Sequence, residues 1–171
     1  MVERGSAVII YHGSTESVKV PKIMNNERKL DFGEGFYTTS SREQAIIWAE
    51  IVSVRREIST RFLSEYHFDY KKAQKELEIV HFPEPDEAWL DFICANRSGR
   101  KIPKPYDIVL GPVANDKVYR VVQFYENGVY DKDEAIRRLK ADKLFDQILF
   151  HTEKSLTYCR FTECVDLEAI K

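Results

Sequence analysis

Cysteine is scarce in this chain of 171 residues, and long apolar runs are missing. Its three cysteines, Cys94, Cys159 and Cys164, are scattered without a CxxC pair, which argues against a disulfide framework and against a zinc site. We therefore expect the three cysteines to pack as small buried hydrophobic side chains, in a protein of a reducing compartment. The longest apolar runs, at residues 7–10 and 45–49, are far shorter than the roughly 18 residues of a membrane span, so we expect no membrane association.

An excess of charge of either sign is also missing. The 26 Lys and Arg residues against 28 Asp and Glu residues give a net charge of −2, so no global field attracts nucleic acid. A local basic group at Arg97, Arg100, Lys101 and Lys104 is either a contact surface or a solvated loop. The opening sequence MVERGSAVII reaches charge within three residues, so we expect no signal peptide and a cytoplasmic protein.

Several catalytic strings are absent as well. The sequence contains no HExxH, GxGxxG, P-loop or GxSxG motif, which removes the usual support for metalloprotease, Rossmann dehydrogenase and α/β-hydrolase functions. What is present is a composition of 43% hydrophobic and 32% charged residues, typical of a globular protein. The length predicts a single domain over residues 1–171.

The hydrophobic pattern predicts an α+β fold with more strands than long helices. Alternating or β-branched runs predict strands at residues 7–11, 19–23, 36–39, 62–68, 77–82, 106–110, 144–150 and 156–161, the second of them an edge segment because it contains a proline. Helical periodicity and capping residues predict helices at residues 42–56, 86–96, 114–125 and 133–139.

The first predicted helix has the clearest signals. Ser40 or Ser41 can serve as its N-cap, and Asp86 and Asp133 can cap two later helices. Spacings of three and four residues predict that one face of the first helix carries Ala45, Trp48, Ala49 and Val52.

Two segments carry a family resemblance: YHGS at residues 11–14 and FGEGFYTTSSREQAIIWA at residues 32–49. The first resembles the strand ending in His-Gly-Ser with which ADP-ribosyltransferases of the diphtheria-toxin and poly-ADP-ribose-polymerase type hold NAD. The second is similar to their Gly-x-Gly-hydrophobic-Tyr strand, followed by a helix with a second aromatic residue. More closely, the chain resembles an uncharacterised bacterial family grouped with these enzymes, through YHGS, DFGEGFYTTS, WLDFICANR, YDIVLGPVANDKVY and QILFHTEKSL. The resemblance implies the split β-sandwich of ADP-ribosyltransferases.

The same resemblance implies roles for individual residues. His12 would bind the ribose hydroxyls of NAD, Gly13 would let the backbone pair with the nicotinamide carboxamide, and Ser14 would contact the adenosine ribose. Tyr37 would stack on the nicotinamide ring and Trp48 would cover its other face. The alternative is that these two aromatic residues belong to the core and that His-Gly-Ser forms an ordinary turn.

The third family motif is altered. Gln147 stands where the family has a glutamate at the start of a late strand, with Asp146 just before it. The family glutamate binds a ribose 2′-hydroxyl and stabilises the oxocarbenium-like state, whereas Gln147 can supply a hydrogen bond but no negative charge. This departure predicts mono-ADP-ribosyl transfer, slow turnover or loss of catalysis. Asp116 either supplies the missing acid or caps the helix that begins nearby.

Two further residues have open alternatives, and a third has one expected position. Arg97 either binds the NAD diphosphate through its planar fork or forms a surface ion pair, and Asn115 is a similar case. Glu153 is expected to be a turn residue.

The resemblance also implies an activity: transfer of ADP-ribose from NAD to an acceptor, without a metal, by a bacterial toxin or effector with a neutralising partner protein. The acceptor-recognition loop would span about residues 127–144, and the near-neutral charge favours a protein or small-molecule acceptor over nucleic acid. A catalytically silent NAD or ADP-ribose binding protein and an NAD glycohydrolase are the alternatives.

Overall fold

A computed structural model describes residues 8–24, 31–100, 105–113, 116–141 and 144–169. Over these residues the chain forms one domain that mixes strands and helices. In chain order the elements are β1 (Val8–Ser14), β2 (Phe36–Thr38), α1 (Arg42–Arg56), β3 (Phe62–Phe68), α2 (Tyr70–Glu76), β4 (Ile79–His81), α3 (Glu87–Ser98), β5 (Ile108–Pro112), α4 (Asp116–Glu126), α5 (Lys132–Leu139), β6 (Asp146–Phe150), α6 (Glu153–Leu156) and β7 (Cys159–Asp166). Within the described ranges, no helix has the length and apolar character needed to cross a membrane.

The strands form two sheets that meet along β1 and β2. The three-stranded sheet has the order β1-β3-β7 and is antiparallel throughout. The four-stranded sheet has the order β2-β6-β5-β4, and only its β4–β5 pair is parallel. An antiparallel bridge joins the two sheets, in which Tyr11 N donates to Thr39 O at 2.8 Å and Thr39 N donates to Tyr11 O at 3.0 Å. We call this junction the seam.

Two clusters of buried side chains form the core. The inter-sheet cluster draws on both sheets, with Ile10 from β1 and Ile148 from β6 among its members. The helix-covered cluster lies on the other face of the four-stranded sheet, beneath α3, α4 and α5, and includes Leu149 and Trp89. Successive residues of β6 therefore point into different clusters, as the two-residue period of a strand requires.

Helix α1 has the predicted bounds but not the predicted buried face. Ser41 is its N-cap, since the hydroxyl of Ser41 accepts from the backbone N–H of Gln44 at 3.2 Å. The buried residues are Ala45, Ala49 and Ser53, at spacings of four, whereas Trp48 is 40% exposed. The prediction that Trp48 shares the buried face was wrong, because the helix packs on β1 through its small side chains.

Several other boundaries differ from the prediction. Residues 19–23 form no strand, in keeping with the missing N–H of Pro21. The cap of α5 is Asp131 rather than Asp133, because the carboxylate of Asp131 accepts from the backbone N–H of Glu134 at 2.8 Å. Helix α2 was not predicted, and it occupies most of the stretch between β3 and β4.

The C-terminal part also differs. A capping box of Thr152 and Ser155 starts α6, so Glu153 begins a short helix rather than lying in a turn. Because α6 extends to Leu156, the last strand, predicted at residues 156–161, begins later and is β7, Cys159–Asp166. By contrast, β3 has the predicted bounds, and the N-cap Asp86 and the left-handed C-cap Gly99 bound α3.

Candidate functional site

A side-chain hydrogen bond brings the two predicted motifs together at the seam. Nδ1 of His12, in β1, lies 2.7 Å from the carbonyl oxygen of Tyr37, in β2. Because a carbonyl oxygen only accepts, Nδ1 carries the proton, and in the neutral ring Nε2 is the acceptor nitrogen. The His-Gly-Ser strand and the Gly-x-Gly-Phe-Tyr strand, predicted to form one site, are therefore adjacent.

The surroundings of His12 favour the neutral imidazole. Desolvation lowers the pKa of His12 below its ordinary value of 6.5, and the nearby charge of Arg56 acts in the same direction, while the bond to Tyr37 opposes them. The ring centroid lies 4.6 Å from that of Phe36. Near neutral pH this side chain can therefore accept a hydrogen bond from a ligand hydroxyl but carries no charge.

The side chain of Tyr37 points toward the helix-covered cluster. Its hydroxyl donates to the carbonyl oxygen of Gly33 at 2.5 Å, and its ring is partly buried against that cluster. Burial raises the pKa of Tyr37, and the negative charge of Asp31 raises it further. The phenol therefore stays protonated, so Tyr37 can pack or stack but cannot act as a general base.

Gln147 lies on the same face of the four-stranded sheet as Tyr37. Tyr37 pairs with Leu149 across β2 and β6, and Gln147 is two residues before Leu149. Diagonal neighbours of this kind have Cα atoms about 7–8 Å apart. The amide nitrogen Nε2 of Gln147 is buried and has no hydrogen-bond partner among the described residues. It is thus an unused donor beside the seam.

Asp146, unlike the neighbouring Gln147 amide nitrogen, has hydrogen-bond partners among the described residues. Its Oδ1 accepts from the hydroxyl of Thr39 at 2.9 Å and from the backbone N–H of Ser40 at 3.0 Å. The Thr39 hydroxyl in turn accepts from the backbone N–H of Ser41, the N-cap of α1, at 3.0 Å. This carboxylate therefore fixes the end of β2 and the start of α1 relative to β6.

The guanidinium group of Arg97 pairs with an acidic side chain of the protein itself. Its Nε and Nη2 lie 2.7 Å and 2.6 Å from Oδ1 of Asp31, and its guanidinium carbon lies 4.6 Å from the ring centroid of Tyr119. Only 12% of the side chain is exposed, and Nη1 is buried without a partner in the described part of the chain. The ion-pair alternative is therefore the observed one, although the pair is largely buried; Lys101 and Lys104 of the predicted basic group lie outside the described residues.

Gly13 is required by the packing of α1 on β1. A Cβ atom on Gly13 would overlap the carbonyl oxygen of Ala45 and lie 2.8 Å from the backbone nitrogen of Ala49. Ser14, the last residue of β1, is buried. Gly13 therefore lies directly beneath the backbone of α1.

The remaining predicted site residues lie elsewhere or outside the described residues. Trp48 is on the exposed side of α1, where the guanidinium carbon of Arg55 lies 5.4 Å from its ring centroid. Asp116 is the first residue of α4, and its side chain, like all of Asn115, lies outside the described part. The partners of Arg97 were not predicted, because Asp31 is 66 residues away in sequence and no local pattern connects them.

The described residues form one mixed α/β domain with two sheets. The sheets meet at the seam, where His12 of one sheet bonds to the backbone of Tyr37 in the other. The chain belongs to the family described as "Protein of unknown function (DUF3990)", whose model matches residues 8–161. No curated protein and no solved structure matches the chain.

Proposed function

We propose that this protein is an NAD-dependent mono-ADP-ribosyltransferase with the split β-sandwich of that class and its NAD site at the seam. The observation that supports this most is the hydrogen bond between His12 and the backbone of Tyr37. It brings together the two motifs that carry the family resemblance. The reaction would break the bond between nicotinamide and C1′ of the ribose, with an acceptor nucleophile attacking that carbon.

The chemistry of His12 and Gln147 fits a ribose. A neutral imidazole whose Nδ1 is already used offers Nε2 as an acceptor for one ribose hydroxyl. The unpaired Nε2 of Gln147 offers a donor, and leaving such a donor buried without a partner costs about 1–3 kcal/mol. A ribose hydroxyl that accepts from Gln147 would remove that cost. Each of these two side chains can therefore pair with one hydroxyl of a ribose.

The missing negative charge at Gln147 limits the expected rate. A carboxylate there would stabilise the positive charge that develops on the ribose as nicotinamide leaves, whereas an amide supplies only a dipole. Tyr37 cannot compensate, because burial keeps its phenol protonated. We therefore propose slow transfer of single ADP-ribose units rather than chain elongation.

Nicotinamide release from NAD tests this proposal. We expect His12→Ala and Tyr37→Ala to abolish release by the purified protein, and His81→Ala, on the exposed edge of β4, to leave it unchanged. Gln147→Glu should raise the rate by about a hundredfold, because it restores the charge that acts in the transition state. Release that persists in both His12→Ala and Tyr37→Ala would overturn the site assignment.

A catalytically silent NAD or ADP-ribose binding protein is the second candidate, and the glutamine at position 147 favours it. Calorimetry distinguishes the two: NAD binding that His12→Ala removes, with no nicotinamide release by the native protein, would establish the binding protein. Release of nicotinamide together with free ADP-ribose, and no labelled acceptor, would instead establish an NAD glycohydrolase.

The acceptor and the biological setting are part of the same proposal. We propose a cytoplasmic toxin or effector, held in check by a partner protein, that modifies a protein or a small molecule. The segment proposed to select the acceptor contains α5, and its residues 142 and 143 lie outside the described part. Mass spectrometry of a bacterial lysate incubated with the protein and labelled NAD would identify the acceptor, and labelled nucleic acid alone would contradict our preference.

A further inference from the structure

A hollow of about 370 Å³ lies on the three-stranded sheet, at the end that is farther from α1. It is formed where β3 leads into α2 and where α6 leads into β7. Its lining residues are His67, Asp69, Lys72, Thr157, Tyr158 and Arg160. None of them belongs to the site proposed for NAD, so a ligand of this hollow is independent of the proposed transferase activity.

The pairing of β3 with β7, and one backbone hydrogen bond just beyond it, fix the backbone around the hollow. His67 of β3 pairs directly with Arg160 of β7 in the antiparallel register. The N–H of Asp69 donates to the carbonyl oxygen of Tyr158 at 3.0 Å, which extends the contact between the two chain segments beyond the ladder. The ladder thus carries His67 and Arg160, and α2 carries Lys72. The other lining residues lie in the short connections between elements.

Basic residues outnumber acidic ones in the lining of the hollow, three to one. His67 and Arg160 lie directly opposite each other in the β3–β7 ladder, and Arg160 carries a fixed positive charge. Lys72 adds a third basic group, and its Nζ lies 5.7 Å from the ring centroid of Tyr158. Among the described residues, none of these three side chains forms a salt bridge, and no hydrogen bond from any of them to a carboxylate is found.

The acceptor groups nearby are already engaged. The carboxylate of Asp69 accepts from the backbone N–H of Lys72 at 3.1 Å, as the N-cap of α2. The Tyr158 hydroxyl donates to Glu76 at 2.6 Å, and the Thr157 hydroxyl donates to the carbonyl oxygen of Lys154 at 2.7 Å. Asp69 is thus the one acidic side chain in the lining, and among the described residues neither Lys72 nor Arg160 forms a salt bridge with it or with any other carboxylate.

We propose that this hollow binds the phosphoryl group of a small soluble molecule. A phosphate ester carries a charge near −2 and several acceptor oxygens, which match the fork of Arg160 and the point charge of Lys72. The volume exceeds that of a phosphate and is within the range of small-ligand pockets, so it accommodates the rest of an ester.

Backbone amide spectra test the proposal with three probes: inorganic phosphate, AMP and adenosine. We expect phosphate and AMP to shift the amide signals of His67 and Arg160 in a saturable way, and adenosine to shift neither. Sodium chloride at the same ionic strength serves as the reference. Shifts that rise without saturation, that chloride reproduces or that adenosine causes equally would overturn the proposal.

Charge variants locate the binding. Arg160→Gln and Lys72→Gln should each raise the dissociation constant for phosphate by about tenfold, because each removes one charge-assisted contact. Lys71→Gln is the matched control, since it removes the same charge from an exposed position of α2 that does not line the hollow. These side chains are exposed, so the variants should fold, and thermal melting checks this. An equal loss of affinity in Lys71→Gln, or none in the other two, would refute the proposed site.

Discussion

Replacing Gly13 by alanine is the sharpest test of how closely α1 packs on β1. The added Cβ would overlap the carbonyl oxygen of Ala45 and lie 2.8 Å from the nitrogen of Ala49. Both are backbone atoms, so no side-chain rotation can relieve the contact and the helix must move. Overpacking of this kind costs about 1–3 kcal/mol, and we expect the upper end. For a chain of this length, about 3 kcal/mol corresponds to a fall in Tm of about 6–12 °C.

The assay is thermal unfolding followed by circular dichroism, without NAD, so that packing is measured separately from any ligand. Ser14→Ala is the matched control in the same strand and should cost less than about 1 kcal/mol. Adding Ala45→Gly to Gly13→Ala should not restore stability, because the obstructing atoms belong to the main chain. A Gly13→Ala protein that melts with the native protein would refute the close approach of α1.

Two further predictions concern charge. Arg97→Met should reduce the free energy of unfolding by about 3–5 kcal/mol, because it leaves Asp31 buried without its partner, and adding Asp31→Asn should recover part of the loss in urea unfolding. The lowered pKa of His12 means that the unfolded chain binds more protons between the folded-state pKa and 6.5. The neutral His12 side chain therefore contributes fully to the free energy of unfolding above about pH 6.5. This contribution is lost as the pH falls toward the folded-state pKa of His12. Unfolding measured from about pH 8 to about pH 5 should show a smaller loss in His12→Gln, and identical pH profiles would contradict this reasoning.

The elements that could be predicted are those whose signals are local. The bounds of α1 follow from the hydroxyl cap of Ser41, and β3 follows from seven residues with a strand-like alternation. Helix α2 was missed because its sequence YKKAQKE has no apolar periodicity, and only Ala73 in it is buried. Its cap, Asp69, was the one local signal that could have revealed it.

The candidate site was predictable in part. The proximity of His12 and Tyr37 followed from their motifs, and the structure joins the two strands. The burial of Trp48 was predicted wrongly, since helical spacing alone does not distinguish a face of small residues, packed against a glycine, from a face of large ones. The engagement of Arg97 by Asp31 depends on a tertiary contact across 66 positions, which no pattern in one sequence encodes.

The seam has a consequence for how variants of this protein should be interpreted. His12 and Tyr37 belong to different sheets, and the position of one relative to the other depends on Asp146, which holds Thr39 and the start of α1. A substitution at Asp146 would therefore change the spacing of the candidate site without removing any group that we propose to contact NAD. In a mutational scan for activity, such framework positions would score like catalytic ones, and only a separate measurement of ligand affinity and stability would tell the two apart.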